Sequence, residues 1–337
     1  MEQIIRDRYS PGILEEARRR YGVAPDDITL LDGFESFIYA FRHHGADYIL
    51  RLGHNHRRSP DLVRAEVDWI NYLAARGAGV AQATLSENGE LVELIADGAG
   101  GHFLATAFVK AAGGPVWQMG GWTEAFNLAY GRLLGRIHAL SKMYRPSNPA
   151  WRRPQWDDPI NNDVYAALSQ EESAVAERYR AVFDHLLALP RTPDGYGMIH
   201  QDAHTGNLFV DENGRITLFD FDDCVYGHFA YDLAMVLFYA IVNREDAATF
   251  AQMFWPQFWR GYCEENALDG RWLEEIPFFM KLREIDLYAV LLRDVGLEGI
   301  EAHPWTAQFM RGRRERIEND IPCLAVDWPA FSRWAGG

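Results

Sequence analysis

The chain has 337 residues, 48% apolar and 24% charged, enough for two domains or for one domain of two lobes with its own core. Acidic residues outnumber basic ones 48 to 33, a formal charge of −15, which argues against nucleic acid or an anionic membrane surface as partner. Cys224, Cys263 and Cys323 form no C-x-x-C pair and no zinc spacing, which speaks against a disulfide scaffold and suits a reducing compartment.

MEQIIRDRYSPG is charged and has no apolar core, so it does not read as a signal peptide, and no run of 18 apolar residues predicts a membrane span. A cytoplasmic location is expected. Residues 2–21 predict one surface helix ending near Gly22. From 28 to 52, ITLLDGF, SFIYAFRHH and DYILRL are strand-like, with turns at Gly33 and Gly45. Ser59-Pro60-Asp61 is a helix start, with Ser as N-cap and Pro in the first turn, and the helix stops at Gly77. LSENGELVELI predicts a hairpin about Asn88-Gly89, and HFLATAFVK one more strand.

From 122 onward the texture is helical, as in WTEAFNLAYGRLLGRIHAL. Residues 145–160 are rich in Pro and Trp and irregular. Helices are expected near 161–189, 229–243, 246–267, 272–296 and 304–318. The acids Glu171, Glu172, Glu177 and Asp184 read as a solvated helix face. Trp117, Trp151 and Trp156 read equally as packing or as the lining of a substrate pocket. His43, His44, His54 and His56 fall in predicted turns without a second acidic cluster, and read as a solvated or phosphate-near loop rather than a metal site.

One island is not helical: YGMIHQDAHTGNLFVDENGRITLFDFDD reads as a loop, a short strand, an Asn-Gly turn and a second short strand. His200, Asp202, His204 and Asn207 fall within eight positions, and the second strand ends in Asp220, Asp222 and Asp223. Apolar neighbours such as Ile199, Leu208 and Phe221 hold these groups at the edge of a core. A loop with Asp and Asn beside a strand ending in Asp supplies oxygen ligands suited to Mg²⁺. A separate carboxylate can orient or deprotonate a hydroxyl nucleophile.

HQDAHTGNLFV and LFDFDD together resemble the catalytic and metal-binding loops of the aminoglycoside phosphotransferase and choline kinase-like family, and Gly227–Ala234 resembles its G-x-x-x-x-D-L-A helix start. The resemblance implies an α+β, bilobal, protein-kinase-like fold. A small antiparallel-sheet N-lobe with an inserted helix (1–108) would bind nucleotide, and a larger, mainly helical C-lobe (109–337) would bind the acceptor. It implies Asp202 as the base for the acceptor hydroxyl, with His204 near the transferred phosphoryl group. Asn207 and Asp220 become Mg²⁺ ligands, and Asp222 either a further metal contact or an acid behind the ligands. His200 becomes a structural histidine, and Asp232 the buried acid that fixes the catalytic loop. ATP would lie with its adenine near Ala107–Lys110.

In the first third, Gly33-Phe34-Glu35-Ser36 stands where the nucleotide-covering loop belongs, and Arg51 where the family has its β3 basic residue. Only three of the 33 basic residues are lysines (Lys110, Lys142 and Lys281), so none can take that place. Glu66 lies on the apolar stripe formed with Leu62, Trp69, Ile70 and Leu73, where an acid needs a partner, and Arg51 is the natural one. The expected activity is ATP-dependent phosphorylation of a hydroxyl on a small molecule. Net acidity and the tryptophans suit a cationic acceptor such as an amino sugar, an amino alcohol or a homoserine-like compound. A monomer or homodimer is expected, without nucleic acid or membrane partners. The alternatives are a protein Ser/Thr kinase of the same fold and a catalytically inactive nucleotide-binding module.

Overall fold

The computed structural model describes residues 1–31, 33, 35–159, 164, 168 and 172–328. The chain forms two compact units. One comprises Met1–Gly114, Tyr144–Arg153 and Thr217–Asp222, the other Pro115–Met143, Pro154–Ile216 and the chain from Asp223 onward.

The N-terminal unit is built on an antiparallel sheet. Strands β1 (Ile28–Leu31), β2 (Phe37–His43), β3 (Ala46–His54) and β6 (His102–Val109) pair in that order. Both loop residues of the β2–β3 hairpin, His44 and Gly45, have positive φ (48° and 80°), as a two-residue turn that matches strand twist requires. The Asn88-Gly89 turn forms, but not the expected hairpin. β4 (Ala83–Thr84) and β5 (Glu93–Ala96) each pair with β6 instead of with each other. Ser86 Oγ accepts from the N–H groups of Asn88 and Glu90, so the connection closes on itself before a ladder can start.

Helix α3 (Pro60–Ala74) starts where the sequence places it, with Ser59 Oγ accepting from Leu62 N–H. It buries Trp69, Ile70 and Leu73, each side chain contributing about 1.5–3 kcal/mol. The expected N-terminal helix is two, α1 (Gln3–Arg8) and α2 (Pro11–Arg20). Pro11 cannot continue a helix from Ser10, so the chain re-initiates there. The later segments complete this unit: Leu218 exchanges backbone hydrogen bonds with Gly79 and Ala81, Phe221 packs edge-on against Trp69, and Tyr144 Oη donates to Asp68.

The second unit is mainly helical: α4 (Glu124–Ser141), α5 (Ser173–Leu187), α6 (Phe229–Ile241), α7 (Ala247–Glu265) and α8 (Ile276–Val290). Beyond them lie α9 (Gly296–Ala302), α10 (Pro304–Met310) and α11 (Arg313–Glu318). The single helix expected over 304–318 is broken at Gly312, whose φ of +64° suits glycine. Most of 161–171, including Glu171, lies outside the described residues. Glu172 is no solvated acid, since it accepts from Tyr288 Oη and faces Arg314. A small antiparallel pair, β7 (Tyr196–Ile199) with β10 (Val225–His228), went unread in the sequence. It carries the residues of interest at its ends: His200 follows β7, and Asp223 stands just before β10. Trp156 is buried core, while Trp117 is 69% exposed.

Candidate active site

In the second unit the chemistry sits on the turn after β7. Its backbone is held from below by Asp232, fully buried on α6. Asp232 accepts from His200 N–H (2.9 Å) and Gln201 N–H (2.7 Å), and lies 3.1 Å from His138 Nε2 on α4. His138 in turn meets Tyr262 Oη, which accepts from Asn266. A buried acid without such partners would be costly; here every contact also fixes a loop or a helix. Gln201 has φ +70°, a strained conformation imposed where the chain turns out toward Asp202. The buried His200 accepts from Asp202 N–H, as suits a structural histidine.

Asp202 is reached by three groups. Arg283 Nη2 on α8 donates to Oδ1 at 2.8 Å, Asn207 Nδ2 to Oδ2 at 3.1 Å, and His204 Nε2 lies 3.3 Å from Oδ2. Burial alone would raise the Asp202 carboxyl, but the positive charge of Arg283, with His204 and His200, holds it well below the ordinary carboxylate range. Because the Asn207 NH₂ is committed to Asp202, its amide oxygen is the end that can ligate a cation. His204 Nδ1 accepts from Gly206 N–H, and a Cβ at Gly206 would come within 2.5 Å of that ring.

In the N-terminal unit Arg51 and Glu66 form a two-bond ion pair, both distances 2.8 Å, as the missing lysine and the inward stripe predict. The Arg51 guanidinium lies over the Phe108 ring, 5.2 Å from its centroid. Gly33 leaves no room for a side chain: a Cβ there would stand 2.3 Å from the Ser36 carbonyl oxygen. Ser36 Oγ lies near Gly53 of β3. Phe34 lies outside the described residues. Asp220 is exposed at the end of its segment with φ +63°, a second strained non-glycine residue. Asp222 is surrounded by guanidinium groups, those of Arg57, Arg58 and Arg51.

Sequence reasoning missed Arg283, Tyr239, Asp286, Arg57 and Arg58. Arg283 and Asp286 interrupt the apolar texture of their helix, and Arg57-Arg58 are adjacent cations directly after β3; both were visible signals. His54 is not solvated: it is buried 3.1 Å from Asp97.

The chain is similar to kinases that act on a hydroxyl of a small compound. The profile of the phosphotransferase enzyme family matches residues 27–272, and the chain belongs to that family. It is 36% identical to amicoumacin kinase of Bacillus subtilis (strain 168) over 95% of each chain. The structure of amicoumacin kinase hAmiN in complex with AMP-PNP, Ca²⁺ and Ami superposes with a TM-score of 0.91 at 31% identity, covering 98% of this chain and 99% of that one. A microcompartment-associated aminopropanol kinase shares the fold at a TM-score of 0.73 and 21% identity, over 92% and 98% of the two chains. The chain is thus a phosphotransferase acting on a hydroxyl of a small molecule, and ATP with a divalent cation serves that reaction in the family. Among the described residues no helix is long and apolar enough to cross a membrane.

Proposed function

We propose that the chain transfers the γ-phosphoryl group of ATP to a hydroxyl of an amine-bearing compound of the amicoumacin kind, with Mg²⁺ as the cation. The observation that carries the reading is the Asp202 carboxylate, ionised and aimed by Arg283, Asn207 and His204 on a loop pinned by Asp232. Asp202 accepts the hydroxyl proton and orients the nucleophile, and His204 lies beside the transferred group. Asn207 and Asp220 offer oxygens to the cation, whose part is to neutralise phosphate charge. Gly33 and Ser36 cover the nucleotide, and the Arg51–Glu66 pair holds a guanidinium toward its phosphates.

A cationic acceptor is supported by Asp286, one turn beyond Arg283 on α8. Its Oδ1 finds no hydrogen-bond partner among the described residues, and burial pushes its carboxyl up to about 7 despite Arg283. An ammonium group would satisfy it. The test is ADP release with Mg-ATP and amicoumacin, kanamycin or 1-amino-2-propanol as acceptor. Amicoumacin is expected to be turned over fastest, and Asp202→Asn to lower kcat by about 10²–10⁴-fold. No ADP above solvent hydrolysis with any acceptor, or full activity in the variant, would refute the assignment.

A further inference from the structure

We infer that Arg57 and Arg58 form a clamp for the nucleotide's polyphosphate tail, and that the Asp222 carboxylate occupies the clamp in its place. The inference rests on the nucleotide reading above and adds a binding subsite to it.

Three guanidinium groups converge on one carboxylate. Arg57 Nη1 donates to Asp222 Oδ2, Arg58 Nε stands 3.5 Å from the same oxygen, and Arg51 Nη1 lies 3.8 Å from Oδ1. Arg153 donates to the Asp222 carbonyl at 2.5 Å, and Arg57 also reaches Glu35. Asp222 and the three arginine side chains that meet its carboxylate are only 10–17% exposed. A carboxylate has two oxygens and one charge, whereas each guanidinium offers a fork of donors matched to a planar or tetrahedral oxyanion. Glu66 takes the Arg51 fork and Glu35 shares Arg57, so Asp222 meets chiefly the paired cations Arg57 and Arg58. A triphosphate tail has the charge and the oxygen count to engage both of them.

The loop that presents the pair is built independently of Asp222. The buried His54 accepts from His56 N–H at Nδ1 and faces Asp97 with Nε2. The N–H groups of Arg57 and Arg58 donate to the His54 carbonyl, while Asn55 and His102 exchange two hydrogen bonds. Helix α3 begins at Pro60. The backbone of Arg57 and Arg58 is thus held by His54 and not by Asp222. The covering-loop sequence has a single glycine, Gly33, and the arginines add side-chain donors for phosphate.

The test is calorimetric titration of the full chain, without metal, using inorganic tripolyphosphate, ATP and adenosine as separate probes. Arg57→Gln and Arg58→Gln are each expected to weaken tripolyphosphate and ATP by about tenfold or more and to leave adenosine within about twofold. Arg57→Lys should retain part of the affinity. Asp222→Asn should tighten tripolyphosphate several-fold, because the competitor for the arginines is gone. Glu35→Gln, at a side chain 42% exposed, should act in the same direction without altering a buried charge. Melting curves show that each variant is folded. A wild-type chain that binds no tripolyphosphate, glutamine variants that lose adenosine in parallel, or an Asp222→Asn chain that binds tripolyphosphate more weakly would each overturn the clamp. Tripolyphosphate binding as expected, with no added affinity for ATP or adenosine, would instead refute the nucleotide reading and leave the clamp standing.

Discussion

Asp202 is held by a guanidinium that is itself held. Arg283 donates to its carboxylate and twice to Tyr239 Oη, so the guanidinium is fixed and the carboxylate is fixed by it. On the proposed reading, Arg283 is a positioning residue that also sets the acid limit of activity. Because the Asp202 pKa is depressed, the ionised form persists well below the ordinary carboxylate range and is lost only as pH falls further. In Arg283→Gln that pKa returns upward. The acid limb of the pH profile of kcat should then move to higher pH, with the variant keeping the wild-type fold by circular dichroism. An unmoved limb would show that Arg283 acts only in packing. Asp286 has the opposite sign. Its carboxyl is raised to about 7, so the folded chain holds a proton that the unfolded chain has released, and stability declines as pH rises from about 4 to about 7. Asp286→Asn should flatten that decline in urea denaturation, and the gain over wild type should be largest above pH 7.

Helices α4 and α7 approach until their backbones nearly touch, and glycines permit it. A Cβ at Gly131 would come within 1.8 Å of the Phe258 carbonyl oxygen, and one at Gly261 within 2.1 Å of that of Leu128. Alanine in a helix ordinarily gains about 1 kcal/mol over glycine. At Gly131 the clash is with backbone, which cannot rotate away, so overpacking of about 1–3 kcal/mol or more should win. Gly131→Ala is therefore expected to lower the urea midpoint. Activity should fall with it, since this crossing places His138 and Tyr262 beneath Asp232. Much at this scale was legible in advance. Ser59-Pro60 fixed the start of α3, the alternation of DYILRL fixed β3, and Glu66 on an apolar stripe pointed to Arg51, because each depends on neighbours a few residues away. The β7–β10 pair was not legible, since its strands are four residues long and 25 residues apart. Nor was Arg283, whose meaning depends on Tyr239 and Asp202, 44 and 81 positions away. Local rules do not see contacts across such separations.

For the molecule as a whole, the N-terminal unit is not a continuous piece of chain. Tyr144 and Ser147 bind Asp68, Leu218 bonds to Gly79 and Ala81, and Phe221 covers Trp69. A fragment ending at residue 114 would leave Trp69 without that cover and Asp68 without those donors. It should show no cooperative melting transition, whereas the full chain should; a sharp transition in the fragment would refute this. The scarcity of lysine has a consequence in reactivity. Of the three amines on side chains, Lys281 is buried against Glu284, Lys142 donates to the Ala267 carbonyl, and Lys110 is exposed just after β6. Guanidinium is not acylated under conditions that acylate amines. Activity-based acyl-phosphate reagents, which mark kinases through a phosphate-facing lysine, should therefore leave this enzyme untagged in the segment around Arg51. Exhaustive reductive methylation should likewise leave Arg51 unmodified, a chemical silence set by the arginine in β3.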